Sequence, residues 1–353
     1  MGRRPIVAGV SFVVPVRNGG RHLAETIGAI AAQSAGGRPI EIIAVEDGST
    51  DDSAAILRSL SACHPLVLVD GPRRGAAAAV NAGIRRASHP IVCQVDQDVV
   101  LEPDWTDTLV AALDDPDVGA AQGRYVADRN GSFFARVMGL DLAQRYARLG
   151  EATSHVCTGN SAYRASALQA IGLLDESLGY GYDNDLSYRL QAAGYRLRFC
   201  RDARSRHRWR EGLVGYLTQQ YGFGYGRLDV VARHRDRFAG DAVSPVGMMG
   251  HPLILGVALV LLGLGAAARA WYGRSFGLLT IGAMLVLVLV IERAMAGVKA
   301  WRQFGDPAAL AFPAVHLARD LAWVAAAAAW TIRRLRGTPN RPEHSMPARR
   351  TAR

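Results

Sequence analysis

Asp96 and Asp98 flank Gln97 directly after the apolar run Ile91–Val95. Two carboxylates at i and i+2, where a strand opens into a loop, can hold a divalent cation and a ribose together. Taken alone, such a pair reads as a solvated turn. Two further loops of the same kind precede it. Asp47-Gly48-Ser49-Thr50-Asp51 follows Ile40–Glu46, and Arg17-Asn18-Gly19-Gly20 follows Val10–Val16. An aspartate at a strand end can accept from a base N–H, and Gly48 lets the backbone turn closely. The same segment also reads as an Asx turn entering a helix, with Asp51 or Asp52 as the cap.

The elements that must position these loops follow from the periodicity. Val10–Val16, Ile40–Glu46, Leu66–Val69 and Ile91–Val95 are short apolar runs of the kind found in buried parallel strands. The stretches 21–32, 53–61, 76–87 and 105–113 between and after them are predicted as helices. This alternation predicts an α/β domain over residues 1–240, with a parallel sheet and right-handed crossovers. Ligands of such a sheet bind beyond the carboxyl ends of its strands, where the three polar loops emerge.

The order and spacing of these pieces resemble the family 2 glycosyltransferases of the GT-A fold. Pro15 and Asn18 match the V-P-x-x-N motif that ends the family's first strand, and Asp47-Gly48-Ser49-Thr50-Asp51 matches D-G-S-x-D. Gly75, Ala79, Asn81 and Gly83 approximate G-x-x-x-A-x-N-x-G, while Asp96 and Asp98 match D-x-D. Thr158-Gly159-Asn160 before Tyr163-Arg164 is similar to the loop lining the acceptor side. In Tyr182-Asp183-Asn184-Asp185-Leu186 the family's usual Glu is replaced by Tyr182, and Asp183 takes the place of the family's base. Asp185 is expected to cap the helix that runs to Ala193.

The resemblance covers residues 8–235 and implies a Rossmann-like mixed sheet binding a nucleoside-diphosphate sugar. It implies Pro15, Arg17, Asn18, Asp47, Arg74 and Asp96 on the nucleotide, with Asp47 at the base and Asp96 at the ribose. Arg74 reads equally as a solvated loop charge. Asp98 is expected to hold Mg2+ or Mn2+, and Asp183 to take the acceptor proton. One base and one metal, with no second nucleophile, imply direct displacement and inversion. His207 is a candidate second metal contact, or a structural histidine. Thr158, Gly159, Asn160, Tyr182, Gln220 and Arg227 are the candidates on the acceptor side. The segment from Gln219 to Arg227 resembles the Q-Y-x-x-Y-G-x-G-R stretch of succinoglycan-type exopolysaccharide transferases, and it lacks the Q-x-x-R-W tryptophan of processive synthases.

Composition sets the setting. Half of the 353 residues are hydrophobic and only 20% are charged, which excludes extensive disorder. The four cysteines, Cys63, Cys93, Cys157 and Cys200, have no C-x-x-C spacing; they read as reduced, buried and small, as in a cytoplasmic domain. Pro252–Ala268 and Phe276–Ile291 are apolar and uncharged, predicting a transmembrane hairpin over 248–298. The segment 299–332 carries His316, Arg319 and Asp320, and reads as interfacial, re-entrant or a third span. Residues 333–353 read as a basic disordered tail, kept cytoplasmic by the positive-inside rule.

The net charge of +10 includes much that lies beside the apolar segments, so a nucleic-acid partner is not expected. The expectation is a multi-pass enzyme of the cell membrane with its catalytic domain cytoplasmic. It moves a sugar to a lipid-linked or polyprenyl-phosphate acceptor in cell-envelope or exopolysaccharide synthesis. A non-catalytic scaffold that binds nucleotide sugar is the alternative.

Overall fold

The computed structural model describes residues 9–209 and 211–338. Arg210 and residues 339–353, which include most of the expected basic tail, lie outside the described residues. The described residues divide into two compact units, 9–128 with 146–209, and 129–145 with 211–338.

In chain order, β1 (Val10–Val16), α1 (Gly20–Ala31), β2 (Ile40–Glu46), α2 (Ser53–Ser61), β3 (Leu66–Asp70), α3 (Ala76–Arg86) and β4 (Ile91–Val95) alternate as the periodicity predicts. They are followed by β5 (Val99–Leu101), α4 (Trp105–Ala112), β6 (Val118–Val126), α5 (Phe133–Tyr146), β7 (Ala152–Thr153), β8 (Asn160–Arg164), α6 (Ala165–Ala170), α7 (Tyr182–Ala192) and β9 (Arg196–His207). Except for α5, whose residues through Arg145 fall in the second unit, these elements build the first.

The strands form one sheet in the order β3-β2-β1-β4-β8-β6-β9-β5, with β7 beside β9. β3, β2, β1 and β4 are parallel. Whereas β3 at the sheet edge is partly exposed, the runs of β1, β2 and β4 are buried on both faces, with Phe12, Val13, Ile42, Ile43 and Val92 fully enclosed. Each such side chain contributes about 1.5–3 kcal/mol of burial. α1 covers the sheet with Leu23, Ile27 and Ile30, spaced three and four apart.

Beyond β4 the sheet ceases to be parallel. β8 runs antiparallel to both β4 and β6, and β9 is parallel to β6 but antiparallel to β5. The result is a mixed α/β sheet, as the resemblance implies, rather than the all-parallel sheet that alternation alone predicts. β9 is the least apolar of the long strands (Arg196, Arg198, Arg201, Arg204 and Arg206 lie within it), so periodicity does not reveal it. Cys93 is buried as expected, but Cys63 is exposed at the end of α2; all four thiols are free.

The second unit holds α8 (Leu213–Arg233), α9 (Val246–Tyr272), α10 (Leu278–Phe304) and α11 (Phe312–Leu335) with most of α5. α9 and α10 have 27 residues each and are long and apolar enough to cross a membrane. Small residues let them approach: a Cβ on Gly282 would come within 3.0 Å of the Ala258 carbonyl oxygen. α10 continues through Glu292, Arg293 and Lys299 to Phe304, past the limit that charge sets in the sequence.

Arg136 of α5 pairs with Asp306, whose side chain also caps the turn at Ala308. His316, Arg319 and Asp320 are buried within this unit. Arg319 pairs with Asp320 at 3.0 Å, and His316 Nε2 lies 3.5 Å from Asp141.

Candidate active site

Three loops leave the carboxyl ends of β1, β2 and β4, and their backbones are tied to one another. Asn18 sits in the left-handed region (φ 54°) and its Oδ1 accepts from the Thr50 amide at 2.7 Å. The Asn18 amide donates to Ser49 Oγ at 3.0 Å. Gln97, between the two aspartates, accepts from the Arg17 amide at 2.8 Å and donates to the Arg17 carbonyl at 3.1 Å. Its own carbonyl accepts from Thr26 Oγ1 of α1 at 2.9 Å. The loop of Arg17 and Asn18, which follows Pro15 and Val16 of β1, is thereby locked to both acidic loops. Gln97 is a positioning residue that spacing does not mark.

Asp47 is buried at the head of the second loop, and its Oδ1 accepts from the Arg73 amide at 2.6 Å. Burial pushes its carboxyl up, against the Arg73 amide and the nearby Arg17 charge. Gly71 must lack a side chain here, since a Cβ would lie 2.7 Å from Asp47 Oδ1. Glu46, unmarked by the motif, folds over the turn and accepts from the Gly48 amide at 3.2 Å and the Ser49 amide at 2.5 Å. Asp52 holds the cap position of α2 without a side-chain bond, while Asp51 accepts from the Ser53 amide at 3.0 Å. Arg74 is exposed and pairs with Glu176 at 2.9 Å.

Asp96, Asp98 and His207 place one ligand atom each within 4.8 Å of one another. The β5–β9 ladder sets Val99 opposite His207, and the Arg208 amide donates to the Asp98 carbonyl at 2.9 Å. His207 is oriented by stacking on Trp209 (centroids 4.2 Å apart) and by an edge contact with Tyr125. Burial, then the charges of Asp98 and Asp183, push the Asp96 carboxyl up to about 7, although Gln94 Nε2 donates to it. Two carboxylates and an imidazole converging this closely suit a divalent cation with positions left for phosphate oxygens.

Asp183 lies in the first turn of α7, and its Oδ1 accepts from the Asn184 amide at 2.9 Å. His155 Nε2 lies 3.4 Å from its Oδ2. Tyr182 is bonded to Thr158, and burial with the charges of Asp96 and Asp183 raises its phenol well above the usual value. Gly159 packs on Asp96, and its amide donates to Gln94 Oε1. Asp96, Asp98, His207, Thr158, Gly159, Tyr182 and Asp183 thus belong to one site.

Other expected residues have partners of a different kind. Asn160 is fully buried, and its Oδ1 accepts from the Trp105 indole at 2.6 Å, so it braces the fold instead of facing an acceptor. Asp185 does not cap α7: Gly181 holds that position and Asp185 pairs with Arg189 at 2.8 Å. Gln220 and Arg227 belong to the second unit. There Trp323 Nε1 lies 3.4 Å from Gln220 Oε1, and Arg227 pairs with Asp241 at 3.0 Å, both within the helical unit.

Gln94 was open to recognition as a polar residue inside an apolar strand, which must find partners. His155 and Glu46 carry no such signal.

Residues 11–172 match the family model described as Glycosyl transferase family 2. The chain is 29% identical over 257 residues to a pre-mycofactocin glycosyltransferase of Mycobacterium tuberculosis, a match covering 69% of this chain and 52% of that protein. It is 29% identical over 251 residues to the succinoglycan biosynthesis protein ExoA of Rhizobium meliloti, covering 66% of this chain and 75% of that one. The chain therefore spans about half the length of the first relative and three quarters of the second. In fold it is similar to a mannosyltransferase from Pyrobaculum calidifontis, solved in complex with GDP-Man and Mn2+, with a TM-score of 0.58 and 22% identity. That match covers 92% of this chain and 87% of the other.

Proposed function

From the premise that residues 11–172 carry a glycosyltransferase family 2 domain, we propose that the protein is an inverting, metal-dependent sugar transferase. It uses a nucleoside-diphosphate sugar and a lipid-linked acceptor at the cytoplasmic face of a membrane, in glycan or exopolysaccharide synthesis. The observation that carries the reading is the convergence of Asp96, Asp98 and His207 beside Asp183 at the carboxyl edge of the sheet.

In this reading Asp47, Pro15 at the end of β1 and the Arg17–Asn18 loop hold the nucleotide, with Asp96 at the ribose. Asp96, Asp98 and His207 hold Mn2+ or Mg2+, which when bound offsets the charge of the leaving diphosphate. Asp183 accepts the proton of the acceptor hydroxyl as that oxygen attacks the anomeric carbon. The bond from that carbon to the diphosphate oxygen breaks on the opposite face, and the electron pair leaves with the diphosphate. One displacement inverts the centre. Thr158, Gly159 and Tyr182 shape the acceptor side.

The lipid acceptor is supported by α9 and α10, two long apolar helices on the same chain as the catalytic domain. Anchoring converts a search in three dimensions into one along a surface.

The test uses purified, detergent-solubilised protein with a panel of nucleotide sugars including UDP-GlcNAc and GDP-Man, with Mn2+ or Mg2+. Nucleoside diphosphate release is measured with and without membrane lipid extract. Release with one donor that needs the extract, and is lost in Asp98→Ala and Asp183→Asn, is expected. Nucleotide binding without release from any donor, lipid or non-lipid acceptors included, would favour a scaffold.

A further inference from the structure

We infer that His155 is a positioning residue for Asp183; this rests on the reading of Asp183 as the base. His155 is buried and presents Nε2 at 3.4 Å from Asp183 Oδ2. The other carboxylate oxygen is held by the Asn184 amide at the start of α7. One oxygen is thus held by backbone, while the second faces the imidazole at the edge of hydrogen-bond range. Apo geometry of catalytic groups is commonly long and tightens when substrate binds.

The segment that carries His155 is built to hold it there. Thr153 Oγ1 donates to the His155 carbonyl at 3.0 Å and accepts from its amide at 3.3 Å. Ser187 Oγ accepts from the Val156 amide at 3.0 Å and donates to the Asp183 carbonyl at 2.7 Å. One hydroxyl therefore ties the residue after His155 to the backbone of Asp183 itself. Further along, the Cys157 amide donates to Gln122 at 2.7 Å. His155 and Asp183 are fixed on two elements clamped together. An imidazole N–H donor then keeps the carboxylate aimed at the acceptor, as the orienting member of a base–orienter pair does.

The test compares His155→Phe, which keeps the ring volume without a donor, with His155→Gln, whose amide restores an N–H near the same place. Both are assayed beside Asp183→Asn for nucleoside diphosphate release, with the donor that the panel identifies. His155→Phe is expected to lower kcat about 10–100-fold, less than the 10²–10⁴ range of a general base itself, with donor KM unchanged. His155→Gln is expected to recover most of kcat.

Wild-type kcat in His155→Phe, with Asp183→Asn inactive, overturns this inference alone. Equal impairment of both His155 variants with a lowered melting temperature overturns it too, by marking a structural histidine. Full activity in Asp183→Asn overturns the base reading and with it this one. Independently of turnover, imidazole 15N resonances of the folded protein report the contact: the His155 Nε2 signal is expected to move in Asp183→Asn, and an unmoved signal overturns the inference.

Discussion

Gly159 and Asp96 pack so closely that a Cβ on the glycine would stand 2.5 Å from the aspartate Cγ. The Asp96 amide donates to the Gly159 carbonyl at 3.2 Å, so the two backbones meet as well. Gly159 has φ 89°, a conformation that side chains rarely adopt. Gly159→Ala therefore incurs about 1–2 kcal/mol of backbone cost. It also displaces the Asp96 carboxylate. The expected result is a modest fall in melting temperature with a far larger loss of nucleoside diphosphate release. Unchanged release would place Asp96 outside the donor site.

Chelation tests the cation cluster. Treatment with EDTA is expected to abolish turnover, and added Mn2+ or Mg2+ to restore it. His207→Ala removes a ligand instead of an outer partner, so metal affinity is expected to drop by more than the about 10–100-fold typical of outer partners. The readout is the metal concentration giving half-maximal rate. An unchanged value in His207→Ala would leave that residue as a structural histidine on Trp209.

Gln97 is expected to act on donor binding and not on proton transfer. It bonds both the amide and the carbonyl of Arg17, so Gln97→Ala frees the first nucleotide loop at the cost of two hydrogen bonds. Each contributes about 0.5–1.5 kcal/mol. Donor KM is expected to rise roughly tenfold at saturating acceptor, with kcat near wild type. A fall in kcat at constant KM would contradict this role.

Asp141 sets an acid limit on the helical unit. Burial raises its carboxyl, but Arg145 at 3.0 Å, with His316, Arg319 and Arg293, outweighs it and holds the group well below the usual range. Its stabilising contribution is complete above the unfolded value of about 3.9 and is lost as pH falls through the lower folded value. Thermal melts in detergent are expected to show no Asp141-dependent change between neutral pH and about pH 5, then a fall below about pH 4. Asp141→Asn is expected to be less stable at neutral pH and to show a shallower acid decline.

The parallel half of the sheet was legible because a strand buried on both faces must be apolar throughout. β1, β2 and β4 begin and end at the residues where their runs begin and end. The loops after them were legible for a related reason, since a polar cluster directly after a buried strand can only emerge at the sheet edge. β9 was not legible: it carries five arginines and gains its place by pairing with β6, β5 and β7.

The sequence by itself determined the strand order of chemistry, namely which acidic loops leave which strands, and the two helices apolar enough for a membrane. The resemblance offered His207 as a second metal contact, but spacing could not join it to Asp98: the β5–β9 register brings them together across more than a hundred residues of chain. Nor could it separate Asn160 from its neighbours Thr158 and Gly159. The Trp105 indole decided that, by holding Asn160 Oδ1 in the interior. Local periodicity encodes which face of an element is buried; which polar groups then meet depends on long-range pairing, and only the tertiary structure fixes that.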